Sequence, residues 1–476
     1  MMLMKKNRKT IVVLVLFLGL LCYTVFALHA LPAAPVEAEF ADQIQYEEAF
    51  AAYEAQVKQA HAYLTIGLLI VGALGFALEA APVAVIAMVM PIYLGLTGIL
   101  DFNQAFSGFA NSTVVLFAGM FILGAAMFQT GLAQRLGASV VRLFAGSERR
   151  LCLGVMLLTA VMSAFLSNTG TVAVLLPVCI GIADSQGWSR AKLLMPMAIL
   201  SSAGGMCTMI GTPPNLTVNA VLNAYGYESL GFFDFAWFGI PATLLAIAYF
   251  SLLGRKIIPE RAHNEVAAAP DKESGQSTKK QWIAGGILLL VILMMALDIV
   301  DLALVAAAGA LLCVITGCIG EKEAYQAIDW STIFLFAGAL SLANAMASTG
   351  AGSILADLCI RALGGNPSPY MLFTVLFLVC GLLTQFMSNT ASAALLCPIG
   401  LEIAGALGVS PLTVVLALGF SASAAYFTPV ATPPNTLICG PANLNFMDYV
   451  KIGGPLFLLT YLLALLIIPL RWPFVL

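Results

Sequence analysis

Residues 163–177 read SAFLSNTGTVAVLLP, and residues 384–398 read TQFMSNTASAALLCP. The two stretches agree at seven of 15 positions, which include a whole Ser-Asn-Thr triplet and the closing proline. Each triplet interrupts an apolar stretch, 151–188 in the first case and 370–408 in the second. A broken element at membrane depth is tolerated only where it is buried in protein or lines a water-filled cavity. The pattern therefore predicts two helical hairpins that carry functional loops.

The composition places both stretches in a membrane protein. Of 476 residues, 61% are hydrophobic and 9% are charged, against roughly 25% charged in an ordinary soluble domain. A span needs about 20 apolar residues, so the chain has room for about 11 transmembrane helices besides two re-entrant hairpins. The expected fold class is an all-α polytopic membrane protein. The net charge of −3 leaves no basic surface for a phosphate backbone, which argues against nucleic acid as a partner.

Basic residues orient the chain because they favour the cytoplasmic side of a membrane. Residues 5–9 (KKNRK) precede the first apolar run, which indicates a cytoplasmic N-terminus. Arg149 and Arg190 flank the first interrupted stretch, so both of its ends face the cytoplasm and the stretch re-enters the membrane. If the second stretch re-enters from outside, 18 of the 21 basic residues lie inside, and those left outside are Lys58, Arg361 and Arg471.

We expect four segments along the chain. Residues 1–62 form a first transmembrane helix and an external amphipathic segment, although residues 1–31 also fit a cleaved signal peptide. Residues 63–254 form repeat 1, with the cytoplasm-side hairpin 151–188 and a broken helix 193–222. Residues 255–281 form a cytoplasmic linker. Residues 282–476 form repeat 2, with the outside hairpin 370–408 and a broken helix 411–440.

The two halves repeat each other at an offset of 219 to 221 residues. Residues 112–131 match 331–350 at 11 of 20 positions, and residues 206–215 match 426–435 at five of ten. Because repeat 1 begins outside and repeat 2 begins inside, the halves are inverted with respect to each other. Many secondary transporters use this arrangement to form a binding site at the bilayer midplane.

Two kinds of polar motif recur in these repeats. The Ser-Asn-Thr triplets stand at 167–169 and 388–390, and Thr-Pro-Pro-Asn stands at 212–215 and 432–435. Residues of the first kind cap a helix N-terminus, whose unpaired N–H groups and positive dipole end attract an anion without an arginine. The prolines remove backbone donors and push the preceding residue out of the helical region. The span unwinds there, which frees carbonyl oxygens for a hard cation such as sodium.

These paired motifs resemble those of the divalent anion/sodium symporter family, which includes sodium-coupled dicarboxylate and citrate carriers. The resemblance covers about residues 63–470. It implies that substrate carboxylates bind to Asn168, Thr169, Asn389, Thr390, Thr212 and Thr432. It implies one sodium ion held by Ser163, Ser167, Asn168 and Gly211, and a second held by Thr384, Ser388, Asn389 and Ala431. It also implies a homodimer in which a transport domain slides against a scaffold, the elevator mechanism.

The expected function is secondary active transport of a divalent organic anion, first of all a C4-dicarboxylate such as succinate, coupled to sodium ions in the cell membrane. Enzymatic activity is not expected, because no histidine or lysine in a predicted span can activate the triplet serines as nucleophiles. One alternative is an exchanger of dicarboxylate, citrate or sulfate without sodium coupling. Another is a cation/proton or arsenite antiporter, which would use charged residues in the membrane core, where the chain offers only Glu402.

Overall fold

The computed structural model describes residues 2–36, 40, 42–144, 146–260, 278–297 and 299–475. Within these residues every regular element is a helix. Eight helices are long and apolar enough to cross a membrane, and four shorter apolar helices accompany them. The expected all-helical membrane architecture is confirmed. Most of the linker predicted at 255–281 lies outside the described residues.

Four helices precede the first matched span: α1 (Met2–His29), α2 (Gln43–Leu78), α3 (Val83–Leu96) and α4 (Phe102–Phe106). Helix α2 begins after Asp42, whose side chain accepts a hydrogen bond from Ile44 N. Its 36 residues extend about 54 Å at 1.5 Å per residue, well beyond a hydrocarbon core of roughly 30 Å. The predicted external segment and the span that follows it are therefore one continuous helix.

From the first matched span to the linker the described residues form eight helices: α5 (Ser112–Gln129), α6 (Leu132–Phe144), α7 (Glu148–Phe165), α8 (Asn168–Gln186), α9 (Arg190–Gly205), α10 (Pro213–Ala224), α11 (Ala236–Tyr249) and α12 (Arg255–Ile257), of which α12 lies in the predicted linker. A π-helical turn, Phe250–Gly254, joins the last two.

Repeat 2 contains ten helices in its described part: α13 (Thr278–Ala296), α14 (Leu302–Ile315), α15 (Glu321–Ala327), α16 (Trp330–Thr349), α17 (Ala351–Ala362), α18 (Pro369–Leu383), α19 (Asn389–Ala406), α20 (Pro411–Ser423), α21 (Pro433–Cys439) and α22 (Phe446–Arg471). From α5 and from α16 onward the order is the same: a span, a short amphipathic helix, a helix pair, a broken helix and a last span.

The broken helices lie at the centre of the molecule. Nearly every residue of α9 and α20 is buried, and the larger hydrophobic core surrounds them. Gly204 on α9 is needed there, because a Cβ atom would lie 2.4 Å from Ala160 O on α7. A smaller core joins the helices α1–α4 to α16 and α19. The two interrupted helices thus sit between the two helix pairs, where their unwound segments can meet.

Two ion pairs hold the open end of the α7–α8 pair against its neighbours. Arg190 Nε and Nη2 each lie 2.6 Å from a carboxylate oxygen of Asp184, so the end of α8 is tied to the start of α9. Arg255 Nη2 lies 2.8 Å from Glu148 Oε2 and ties α12 to the start of α7. A bidentate arginine–carboxylate pair fixes direction as well as distance. The open end of the pair is therefore held in a defined position.

Candidate functional site

Each Ser-Asn-Thr triplet forms the turn between two antiparallel helices. Ser167 is the N-cap of α8, and its Oγ accepts a hydrogen bond of 3.1 Å from Gly170 N. Ser388 does the same for α19, with Ala391 N at 3.1 Å. Both serines have extended backbone, which serine adopts readily at a cap. The chain therefore turns at the triplet and starts a new helix with its N–H groups at the tip.

Each Thr-Pro-Pro-Asn motif starts the second half of a broken helix. Thr212 and Thr432 are both extended, with φ of −144° and −151°, as a residue before proline must be when it leaves the helix. The two prolines that follow occupy the first helical positions, where their missing N–H groups leave no carbonyl unpaired. Residues 206–212 and 424–432 are the unwound segments, which we call break 1 and break 2.

The two triplets and the two breaks line a single cavity of about 490 Å³. All six predicted substrate residues line it, namely Asn168, Thr169, Thr212, Asn389, Thr390 and Thr432. Besides the two asparagines, four further predicted sodium ligands line it, namely Ser167, Gly211, Ser388 and Ala431. The structure thus brings together residues that are separated by more than 200 positions in sequence. Its opposite wall is formed by the C-terminal half of α5 and the N-terminal part of α16.

The cavity lining carries almost no formal charge. Among the described residues that line it there is no Lys, Arg or His, and Asp329 is the one charged residue. Helices α8 and α19 instead begin at the cavity with Asn168 and Asn389. The N-terminal end of a helix carries the equivalent of about half a positive charge and offers unpaired N–H donors. The site therefore favours an anion through helix ends rather than through basic side chains.

A cluster of oxygens lies directly behind the first triplet, and we call it cluster 1. The terminal amide of Asn168 lies 2.5 Å from Ser163 Oγ, 3.0 Å from Ser201 O and 3.1 Å from Gly211 O. With its NH₂ group toward these oxygens the amide donates to them. With its carbonyl oxygen toward them, the amide adds a fourth oxygen to the group, and oxygen ligands are what a hard cation prefers. The donor set therefore fits a sodium ion.

The corresponding oxygens of repeat 2 form cluster 2. Thr384 Oγ1 lies 2.9 Å from Asn389 Oδ1 and 2.7 Å from Ala422 O. Ala431, the counterpart of Gly211, directs its N–H to Thr428 Oγ1 at 3.1 Å. Both Ser163 and Thr384 are fully buried, so their hydroxyls face the clusters and not the cavity. Asn168 and Asn389 line the cavity and also belong to the clusters, so each asparagine connects its cluster with the cavity.

Sequence reasoning missed four contributors to these clusters. Ser201 and Ala422 supply backbone carbonyls near the ends of α9 and α20, which no residue type reveals. The hydroxyls of Thr208 and Thr428 donate to carbonyls of the helix-pair tips, Ala164 O and Gln385 O. A signal for the threonines existed, because they occupy the same position in the matched stretches 206–215 and 426–435. Their role follows only from the fold.

Several buried side-chain oxygens have no hydrogen-bond partner among the described residues, and three of them belong to the Thr-Pro-Pro-Asn motifs. These three are Thr212 Oγ1, Asn215 Oδ1 and Asn435 Oδ1. Thr212 lines the cavity, so its hydroxyl remains available to a ligand. The two asparagines are counterparts in the repeats, and each amide NH₂ binds its own break, at Thr208 O and Thr428 O. Glu402 does not line the cavity and lies beside Gly352, at the far end of α19.

Comparison with known proteins agrees with this architecture. A family model described as a citrate transporter (CitMHS) matches residues 73–396 and 342–474. An uncharacterised transporter of Haemophilus influenzae is 29% identical over 416 residues, covering 83% of this chain and 88% of that protein. The sodium-dependent dicarboxylate transporter SdcS of Staphylococcus aureus is 26% identical over 439 residues, covering 84% of each chain.

Solved structures share the fold at low sequence identity. The YdaH transporter of Alcanivorax borkumensis has a TM-score of 0.61 at 16% identity, covering 87% of this chain and 99% of that one. MtrF of Neisseria gonorrhoeae has a TM-score of 0.56, also at 16% identity, covering 79% and 83%. The fold and its relatives define a membrane transporter and not an enzyme. The chain belongs to the citrate transporter family defined by the CitMHS model, which confirms the resemblance of its motifs.

Proposed function

We propose that the protein carries a divalent organic anion, such as the C4-dicarboxylate succinate, across the cell membrane together with sodium ions. The observation that carries the proposal is the charge of the cavity. Its described lining holds no basic side chain, while both triplets and both breaks meet there. A dianion in such a site is stabilised by helix N-termini and by cations bound close behind them. The bound sodium ions and the bound substrate then stabilise each other.

In this proposal the substrate carboxylates bind at the two triplets. Asn168 and Thr169 serve one carboxylate, and Asn389 and Thr390 serve the other, with Thr212 and Thr432 beside them. A cavity of about 490 Å³ falls in the range of roughly 300 to 1,000 Å³ that small-molecule sites occupy. The threonine hydroxyls can donate to a carboxylate as well as accept from water.

Asn168 couples the two ligands. Its amide can turn either its NH₂ group or its oxygen toward the three oxygens of cluster 1. A sodium ion in the cluster attracts the oxygen, and the NH₂ donors then turn toward the cavity and the anion. Without the ion the NH₂ group is held by Ser163, Ser201 and Gly211, so it is lost to the substrate. At cluster 2 the oxygen of Asn389 already accepts from Thr384 Oγ1, so a sodium ion bound there would keep the NH₂ group of Asn389 toward the cavity. Sodium binding therefore raises anion affinity, and anion binding raises sodium affinity by the same factor.

We further propose an elevator movement in a homodimer, as the resemblance implies. The helix pairs and broken helices would move as a unit against a scaffold that includes α5 and α16. The cavity lies against the C-terminal half of α5 and the first residues of α16. In the orientation given by the basic residues, with the N-terminus in the cytoplasm, this is the cytoplasmic half of both helices. The described conformation is then the inward-open state.

Uptake into vesicles tests the proposal. Purified protein reconstituted into liposomes is given radioactive succinate with an inward sodium gradient, with an equal potassium gradient, or with internal unlabelled succinate and no sodium. We expect uptake only with sodium, rising sigmoidally with its concentration and surviving a proton uncoupler. Uptake that ignores sodium and requires internal succinate would identify an exchanger instead. Failure to move succinate, citrate or sulfate under any condition would refute the proposal.

The orientation is tested separately by cysteine labelling. In a variant without the ten native cysteines, Asn366→Cys and Ser147→Cys each place one thiol on an exposed loop, before α18 and α7 respectively. A membrane-impermeant maleimide added to whole cells should label position 366 and leave position 147 unlabelled until the cells are lysed. The opposite result would invert the topology and make the cavity outward-open.

A further inference from the structure

One acidic side chain stands in a cavity that otherwise favours an anion. Asp329 lies in the connection between α15 and α16, is exposed to solvent, and lines the same cavity as the two triplets. Its neighbours Ser331 and Thr332 line the cavity as well. Asp329 stands just before the first turn of α16, which is the cytoplasmic end of that helix in the proposed orientation, whereas the triplets stand at the tips of the two helix pairs. Any anion that enters or leaves on this side passes the carboxylate.

The carboxylate is held in place by three donors. Its Oδ1 accepts from Ser331 N at 3.1 Å and Thr332 N at 3.3 Å, and its Oδ2 accepts from Thr332 Oγ1 at 2.6 Å. These contacts make Asp329 the N-cap of α16. Capping explains why an oxygen acceptor is needed here, but not why it is charged, because asparagine caps a helix about as well as aspartate does.

Repeat 1 supplies the comparison. The counterpart of α16 is α5, and its N-cap is the neutral Asn111, whose Oδ1 accepts from Thr113 N at 2.9 Å. One repeat therefore caps this helix without charge and the other with charge. The end of α5 and the start of α16 line one cavity, so the two helices run in opposite directions and their caps lie at opposite faces. Asp329 lines the cavity and Asn111 does not, so the acidic cap is the one that an anion in the cavity meets.

We infer that Asp329 sets the affinity of the inner mouth for the anion. The inference rests on the proposed function and orientation. Its charge repels a dianion twice as strongly as a monoanion, so it weakens binding from the cytoplasm and speeds release there. It does not change the final accumulation, which the ion gradients fix. It changes the half-saturating concentration on one face only, and the protein becomes a better importer than exporter at equal gradients.

The test uses membrane vesicles of both orientations and radioactive succinate with a sodium gradient. Asp329→Asn keeps the cap and removes the charge, so the fold should persist. In inverted vesicles, which expose the inner face, we expect the half-saturating succinate concentration to fall about threefold or more, and the effect to shrink as ionic strength rises. In right-side-out vesicles it should not change. Asp329→Glu should behave as the wild type on both faces.

Asn111→Asp is the matched variant in repeat 1. Because Asn111 does not line the cavity, this change should leave the half-saturating succinate concentration unchanged in both kinds of vesicle. An unchanged inner value in Asp329→Asn, or equal changes on both faces, would overturn the inference while wild-type transport still supports the proposed function. A higher sodium requirement with unchanged succinate affinity would also overturn it, because Asp329 would then collect cations. Wild-type vesicles that transport none of succinate, citrate or sulfate would refute the proposed function and this inference together.

Discussion

Break 1 and break 2 carry the same proline motif but are stabilised differently. In break 1 glycines allow the backbone to fold on itself: a Cβ on Gly211 would lie 2.4 Å from Gly205 O. In break 2 the position that corresponds to Gly211 is Ala431. There the side chain of Gln385 stabilises the unwound backbone through hydrogen bonds. Its Nε2 donates to Ala424 O at 3.1 Å and its Oε1 accepts from Phe427 N at 3.1 Å. Repeat 1 has Ala164 where repeat 2 has Gln385.

What the breaks share indicates what the transport cycle needs from both. In each break a threonine hydroxyl, of Thr208 or Thr428, donates to the tip of its helix pair and accepts from the residue before the Thr-Pro-Pro-Asn motif. In each, an asparagine amide donates to the carbonyl of that threonine. The shared contacts join tip to break, and the divergent contacts only hold each break in shape. Variants should therefore act alike at the triplets and differently behind them.

The largest effect is expected where the repeats agree. Asn168→Asp and Asn389→Asp put a negative charge directly against the substrate carboxylates in a cavity bounded by protein, where like charges repel more strongly than in bulk water. Either change should abolish succinate uptake, whereas Asn168→Ala and Asn389→Ala lose a hydrogen bond worth about 1.5 to 3 kcal/mol and keep weak uptake. Uptake into vesicles and binding to purified protein measure both.

Asn223→Asp is the control for this pair, since Asn223 is exposed at the end of α10. Its uptake should match the wild type. Succinate binding near the wild-type level in both triplet variants would remove the triplets from the substrate site. Loss of uptake in one variant and retention in the other would mean that only one repeat holds the substrate.

The next effect separates the two oxygen clusters. Ser163→Ala removes one of the oxygens around the Asn168 amide, and Thr384→Ala removes the hydroxyl between Asn389 and Ala422. A lost ligand worth about 1 to 2 kcal/mol raises the half-saturating sodium concentration roughly five- to thirtyfold, with maximal uptake retained at high sodium. Measuring uptake against sodium concentration gives both values.

The repeats themselves supply the controls for the sodium experiment. Ser163→Thr and Thr384→Ser exchange the counterpart residues and keep each hydroxyl, so sodium dependence should return close to the wild type. A sodium requirement that is unchanged in both alanine variants would show that the clusters are structural. A change confined to Ser163→Ala would assign coupling to cluster 1 alone.

A smaller effect, on stability, is expected from the residue that the repeats do not share. Gln385→Ala removes a fully buried amide and leaves the half-buried Phe427 N without its partner, which costs about 1 to 3 kcal/mol. The thermal midpoint of the purified protein in detergent should fall by several degrees. Gln134→Ala is the matched control, because that amide is exposed and donates to Phe128 O at 3.3 Å. Equal midpoints for Gln385→Ala and Gln134→Ala would contradict a bracing role.

The architecture could be predicted from the sequence more completely than the oxygen clusters behind the triplets. The paired motifs located the tips and breaks, and the residues lining the cavity include every substrate residue that the motifs suggested. Backbone carbonyls such as Ser201 O could not be predicted from the sequence, because every residue type has one. The change from polar to apolar residues predicts a boundary at residue 62, yet helix α2 runs through it. Backbone hydrogen bonds of a helix form in the same way on both sides of a membrane surface. A pattern of side chains predicts where a motif lies, but the backbone contacts at that motif become known only from the fold.

The smallest effect tests whether the moving unit and the scaffold are separate bodies. Tyr225, at the end of α10, donates to Ala343 O on α16 at 3.3 Å and also interacts with Glu402 on α19. If α10 and α19 slide past α16, this hydrogen bond exists in the inward-open state alone. Tyr225→Phe removes about 1 kcal/mol from that state, which shifts the equilibrium roughly fivefold toward the outward-open state. The half-saturating external succinate concentration should fall by up to that factor, because the apparent affinity scales with the fraction of carriers ready to bind. The exposed Tyr227 is the control, and Tyr227→Phe should change nothing. If Tyr225→Phe also leaves external affinity unchanged, the contact persists in both states, and α10 moves with α16 instead of against it.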